Sequence, residues 1–291
     1  IVLIDQTMEI YITNLCLDAK KILYLVDPFN YSVHQYLLNE TRITKKISIP
    51  ISTYFQRKYD LTLYKKFDGY ILPAQEHKDL LQPYLNPKRK RYIIPQGVDT
   101  DFFAPDHSHS EPNTILFSGS MNYPPNVTAM QYFFENIYDL IKVEIPDLKV
   151  FIVGRNPTKD VLQYQSKDVI VTGFVKDSRD YFVKSALVFV PIVVDDGGYK
   201  VKVLEAMAMG KPCVSTSLGI KGLYVNDRKN ILIADNPADF AKNIILLLRN
   251  PDLRNTIGVN ARRHVEEHYS LENMYKQVNS AFQNILQKKH Q

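Results

Sequence analysis

Through the second half of the chain, short and nearly unbroken apolar runs alternate with longer stretches of helical periodicity. Runs at 115–119, 148–154, 169–173, 186–191, 212–215 and 231–233 are each no longer than eight residues, and all but the last end in glycine, proline or serine. That length and their β-branched content predict strands rather than helix segments. Between them, Pro124-Pro125 opens a helical pattern over 127–144 that Pro146 closes. Asp177 is placed to cap a short helix reaching Lys184. A helix over 200–209 ends at Gly210, the residue type that follows helices in the left-handed conformation. Helices over 237–249 and 251–268 each begin with proline, and a last one is expected over 271–289.

Strands apolar on both faces, separated by helices, imply a parallel sheet covered on both sides. The first half repeats the style more thinly, with strands expected at 1–4, 22–26, 69–72 and 91–94 and a basic, aromatic helical stretch over 31–66 interrupted by Pro50. The polar segment 101–113, with Pro105 and Pro112, reads as a linker. The expectation is an α/β protein of two Rossmann-like domains with parallel sheets: an incomplete one over 1–104, a second over 105–270, and a helix over 271–291 packing back on the first. Ligands of such sheets bind beyond the carboxyl ends of the strands, so the loops after Gly119, Gly154, Gly173 and Pro191 should line one crevice.

Charge narrows the field. The excess of 36 Lys and Arg over 31 Asp and Glu gives a net +5, which suits phosphates but is too small to argue for nucleic acid. Cys16 and Cys213 lie far apart in apolar contexts, which predicts buried reduced thiols and a cytoplasmic setting, with no zinc site. No apolar run reaches the ~20 residues of a membrane span.

The chemistry concentrates in Gly197-Gly198-Tyr199-Lys200-Val201-Lys202-Val203-Leu204-Glu205-Ala206-Met207-Ala208-Met209-Gly210-Lys211-Pro212. A glycine loop feeds a helix start, whose unpaired N–H groups and partial positive charge attract an anion, and two lysines add full charge. Glu205 shares a face with Lys202 in an otherwise apolar helix. A carboxylate there either forms an ordinary ion pair with Lys202 or lines a cleft and accepts hydrogen bonds from ligand hydroxyls.

This stretch resembles the signature of the group 1, family 4-like glycosyltransferases of GT-B fold, a Glu, seven residues, a second Glu, then Ala-Met-Ala-x-Gly-x-Pro. Other matches follow in order: Ile94-Pro95-Gln96-Gly97-Val98-Asp99, then Phe117-Ser118-Gly119-Ser120-Met121 with Tyr123-Pro124-Pro125-Asn126, Ile152-Val153-Gly154-Arg155-Asn156-Pro157, and Val171-Thr172-Gly173-Phe174-Val175. The second group is similar to a branch that makes polysaccharide linkages. The resemblance implies transfer of a sugar from a nucleotide diphosphate sugar to a glycan or lipid-linked acceptor, with retention of configuration, no cofactor and no essential metal. It implies that Glu205 binds ribose hydroxyls, that Lys200 and Lys202 lie near the diphosphate beside Gly198 and Tyr199, that the Gly119 backbone approaches the phosphates, and that Val175 meets the base. Phe174 is either a core residue or a platform for the base. Gly119 and Gly173 are either ligand-approach or plain turn glycines.

The departures matter as well. Gly197 stands where the family has its first Glu, and the basic residues that many members carry after the first strand are missing from 120–127. By the resemblance, the chain begins inside the acceptor half, without its first strands. Asp195 and Asp196 read as solvated loop residues. His34 and His77 are candidate cleft residues with no geometry to promote them, and no catalytic residue is assigned. The basic residues Arg42, Lys45, Lys46, Arg57, Lys58 and 88–91 suit either peripheral contact with anionic lipid at the inner membrane face or a solvated surface. The rivals are a non-catalytic nucleotide-sugar-binding fragment and a dinucleotide-dependent oxidoreductase; the lack of G-x-G-x-x-G after any strand speaks against the second.

Overall fold

A computed structural model describes residues 2–5, 19–25, 64–106, 110–194 and 200–286, with 51, 54, 55, 58 and 62 between them. The chain divides into two compact units. One comprises residues up to Gly97 together with the segment from Leu271, and the other runs from Val98 to Ser270.

In the first unit, β1 (Val2–Asp5), β2 (Lys21–Tyr24), β3 (Gly69–Leu72) and β4 (Lys90–Ile93) form a parallel sheet in the order β1-β2-β3-β4. Helix α1 (Gln75–Leu81) follows β3. Leu23, Tyr70 and Leu72 build one core with Tyr64, Phe67, Leu81 and Leu85. Because strand side chains alternate, Ile22 and Ile71 face the other way, with Ile94. That second face is covered by the last helix of the chain through Met274, Val278, Ala281, Phe282 and Ile285.

The second unit holds β5 (Thr114–Ser118), α2 (Pro124–Asn136), α3 (Tyr138–Glu144), β6 (Lys149–Val153), α4 (Lys159–Leu162), β7 (Val169–Val171), α5 (Arg179–Lys184), β8 (Leu187–Val190), α6 (Val201–Ala208), β9 (Cys213–Ser215), a 3-10 turn (Leu218–Ile220), β10 (Leu232–Ile233), α7 (Pro237–Arg249) and α8 (Pro251–His268). Its strands pair in parallel in the order β10-β9-β8-β5-β6-β7. Counted from β5 this is the 3-2-1-4-5-6 order of a doubly wound sheet, and the winding reverses between β5 and β8. β5 and β8 are buried at every position, as strands covered on both faces must be.

Local chemistry sets the helix limits. Asn236 and Asn250 accept from the N–H groups of Asp239 and Leu253, capping α7 and α8, each of which has proline in its first turn. After α6, Gly210 adopts φ +65°, Gly210 N donates to Met207 O at 3.0 Å and Lys211 N to Ala206 O at 2.9 Å, closing the helix in a Schellman motif.

Three expectations are corrected. The single helix over 127–144 is two, because Ile137 at φ −120° leaves the helical backbone while its side chain is completely buried. The helix expected from Asp177 begins at Arg179 with Ser178 as its cap, and Asp177 instead accepts from Arg179 N at 2.9 Å. Phe174 is 79% exposed, which removes the core reading. The last helix, α9, is described over Leu271–Leu286. Cys213 is buried, and burial pushes its thiol up to about 12. Cys16, His34 and most of the basic aromatic stretch over 31–66 lie outside the described residues. Among the described residues, no helix is long and apolar enough to cross a membrane.

Candidate functional site

The carboxyl ends of β5 and β8 mark the switch point of the second sheet. β5 ends at Ser118, and Gly119 turns the chain at φ +150°. Its N–H donates to Val153 O of β6 at 2.9 Å. The next loop lies equally close, since Met121 N donates to Arg155 O at 2.9 Å and Arg155 Nε reaches Ser120 Oγ at 3.4 Å. The turn after β5 is thus held against the turn after β6.

Helix α6 brings Lys202 to the same turn. Its residues after the first turn are strong helix formers, and Val203, Leu204, Ala206, Met207 and Ala208 are buried, which fixes the rotation of the helix. Lys202 and Glu205 interrupt this apolar surface and remain half-buried. Lys202 Nζ lies 4.0 Å above the Phe117 ring centroid, a cation–π contact, and donates to Asn126 Oδ1 at 2.7 Å. Phe117 is buried and tilted against Phe189 at 5.8 Å, so the platform under the ammonium is rigid. A Cβ added to Gly119 would stand 2.9 Å from Lys202 Nζ and 2.7 Å from Asn126 Nδ2. The glycine, the ammonium and the amide therefore form one cluster at the end of β5.

Glu205 is three residues beyond Lys202, and burial raises its carboxyl above the usual range, opposed by the positive charge of Lys202. A half-buried carboxylate of this kind gains from hydroxyl donors. Lys200, 8% exposed, caps the start of α6. The preceding Gly197, Gly198 and Tyr199, with Asp195 and Asp196, lie outside the described residues. In the loop after β7, Gly173 sits at φ +68° with open space about it, Phe174 projects outward and Val175 is half-buried.

The structure brings Gly119, Lys202 and, one turn along the helix, Glu205 together, and adds two residues that the sequence did not single out as site residues. Asn126 stood in the sequence only as the end of the Tyr123-Pro124-Pro125-Asn126 match, with no role attached. Arg155 lies directly after a strand-ending glycine and supplies a cation beside the turn that lacks its own. Outside this site, His77 is half-buried in α1. The basic run after Asn86 is partly engaged within its own unit: Arg89 pairs with Asp68 at 3.4 Å, Lys90 Nζ donates to Asn284 O at 3.0 Å and Arg91 to Asn86 O at 3.2 Å.

Residues 112–250 match the family described as "Glycosyl transferases group 1". The chain is similar, at 24% identity over 172 residues, to an uncharacterized 44.6 kDa protein in the cps region of Klebsiella pneumoniae, covering 56% of this chain and 44% of that protein. It is 25% identical over 252 residues to an uncharacterized glycosyltransferase of Methanocaldococcus jannaschii, covering 81% of this chain and 63% of that one. The chain thus spans less than two thirds of the length of either relative. Among solved structures, TarM of S. aureus superposes with a TM-score of 0.74 at 18% identity, over 96% of this chain and 54% of TarM. HepE of Anabaena, solved in complex with UDP-glucose, gives a TM-score of 0.73 at 13% identity, over 97% of this chain and 78% of HepE. At such identities the likeness concerns the fold. Residues 112–250 thus match a group 1 glycosyl transferase domain, and the parallel-sheet α/β architecture is similar to that of the solved GT-B glycosyltransferases.

Proposed function

We propose that the chain binds a nucleotide diphosphate sugar in its second unit and serves in transferring the sugar to a glycan or lipid-linked acceptor, with retention of anomeric configuration. The observation that carries this reading is the Lys202 ammonium held beside the Gly119 turn at the switch point of the sheet. In the transfer, the bond between the anomeric carbon and the diphosphate oxygen breaks, the acceptor hydroxyl oxygen takes its place, and the hydroxyl proton passes to the departing diphosphate. Negative charge grows on the departing diphosphate, and fixed cations and backbone N–H groups aimed at it lower the barrier. Lys202 and Lys200 supply that charge without a bound metal. Glu205 accepts from the ribose hydroxyls, and Phe174 and Val175 border the base. UDP in the complexes of HepE and TarM supports a uridine donor. Setting the reaction at the inner face of the cell membrane, with the basic residues of the first unit against anionic lipid, accords with the lipid-linked acceptor.

A second reading is a nucleotide-sugar-binding protein without turnover, favoured by Gly197 at the position of the family's first Glu. Isothermal calorimetry with UDP-glucose and a radiolabelled transfer and hydrolysis assay on the full gene product separate the two. Binding with product formation supports the transferase, binding without it supports the second reading, and absence of binding to any nucleotide sugar removes both.

A further inference from the structure

Asn126 uses both ends of its side-chain amide. It stands in the first turn of α2, 6% exposed. Its Nδ2 donates to Ser120 O at 2.9 Å, and its Oδ1 accepts from Lys202 Nζ at 2.7 Å. These partners fix the orientation of the amide, because an ammonium only donates and a carbonyl only accepts. The amide also lies against Gly119, where a Cβ would fall 2.7 Å from Nδ2. One side chain therefore spans the turn after β5 and the cation from α6.

The chemical type of the group is informative. A neutral amide oxygen locates an ammonium and leaves its charge available to a further anion. A carboxylate at the same place would locate it as well, but would cancel that charge. Aspartate could join α2 to α6 through Lys202, but it could not donate to Ser120 O, so the amide is the group that serves both partners while leaving the charge intact.

We infer that Asn126 is a positioning residue for the donor diphosphate: it holds the Lys202 ammonium, with its charge intact, beside the glycine turn that the phosphates approach. This rests on the donor-binding reading above. The grip on Ser120 O keeps the backbone of the turn and the cation in one register, so the N–H donors and the positive charge meet the ligand together.

The test is calorimetry on the full chain with UDP and uridine as probes, alongside thermal unfolding. Asn126→Asp is expected to weaken UDP binding roughly tenfold or more, the scale of a lost charge-assisted contact, while uridine affinity stays within about twofold. Lys202→Ala should behave similarly, and the Asn126→Ala/Lys202→Ala double variant should bind UDP no more weakly than Lys202→Ala alone. Asn126→Ala should lose less than Asn126→Asp, since the charge survives and only its location loosens. Full additivity in the double variant, or equal losses for UDP and uridine, overturns the inference. So does unchanged UDP affinity in a folded Asn126→Asp while Lys202→Ala is impaired, an outcome that leaves the donor site standing. Loss of cooperative unfolding in both Asn126 variants assigns the residue to the scaffold and overturns the inference too. A wild-type chain that binds none of UDP, GDP, ADP and TDP removes the donor reading and this inference with it.

Discussion

The carbonyl oxygen of Gly119 occupies the space that a side chain on Gly154 would need: a Cβ on Gly154 would fall 1.7 Å from it. Gly154 also sits at φ +152°, a conformation that L residues rarely adopt. Two neighbouring strand ends are thus pressed together at the proposed phosphate site. Gly154→Ala should destabilise the second unit by about 2 kcal/mol or more and displace the Gly119 turn. Denaturant unfolding and UDP calorimetry on the same preparation check both effects, and a variant as stable and as tight-binding as wild type would refute the crowding argument.

Lys202→Ala should cost more affinity for a nucleoside diphosphate than for the bare nucleoside, because the lost group is a cation beside the phosphates. Charge-assisted hydrogen bonds set the scale at about 1.5–3 kcal/mol. Competition assays with UDP and uridine measure the difference, and equal losses would argue against a phosphate role for this lysine.

Glu205→Ala should weaken nucleotide binding by a similar amount with little change in unfolding, since the side chain is half-buried and its helix is held by its apolar neighbours. The pH dependence is directional. Burial raises the Glu205 carboxyl, so the carboxylate that accepts ribose hydroxyls is present above that raised value and is lost as pH falls through it. Affinity should therefore begin to fall at a higher pH than for an ordinary glutamate, and Glu205→Gln should flatten this part of the profile. A wild-type profile identical to that of Glu205→Gln would remove the carboxylate from the site.

Phe174→Ala tests the base platform. The ring is 79% exposed, so its removal should change stability by no more than about 0.5 kcal/mol. If the ring stacks on the base, nucleoside affinity should fall by about 1–3 kcal/mol, the range of base–aromatic stacking. Uridine titration reads this directly.

Lys211 makes a separate prediction about stability. It is buried, donates to Val183 O and Ser185 O at 3.0 Å each, and is pushed down to about 8, chiefly by burial and then by Arg254. Between about 8 and its ordinary 10.5 the unfolded chain holds a proton that the folded chain has released, so stability should rise with pH across that window. Lys211→Met should abolish the rise and, by leaving carbonyls unsatisfied, destabilise the unit by about 1–3 kcal/mol. Urea unfolding from pH 7 to 10.5 distinguishes the two chains.

The doubly wound unit was readable because its strands are short and apolar, the first three running into glycine, and because Pro237, Pro251 and Gly210 mark helix limits with specific backbone requirements. The break at Ile137 was not readable. No proline or glycine stands there, and nothing else in the local sequence signals the φ of −120° that Ile137 adopts. The alignment of Lys202 with Glu205 followed from helical spacing alone. The partnership of Lys202 with Asn126 did not, since it joins residues 76 positions apart and depends on how α2 and α6 meet at one strand end. The choice between the two readings of Phe174 stayed open for a related reason: aromatic residues beside a strand are usually covered, and only the fold reveals that this one is exposed.

Because α9 seals one face of the β1–β4 sheet, with Ile285 reaching Gly69, these strands wait for residues made some two hundred positions later. On the ribosome the second unit has all of its own chain before the first unit has its cover. The sheet would then leave the exit tunnel with Ile22, Ile71 and Ile94 bare, available to chaperones, and would be shielded only after the second unit and α9 had been synthesised.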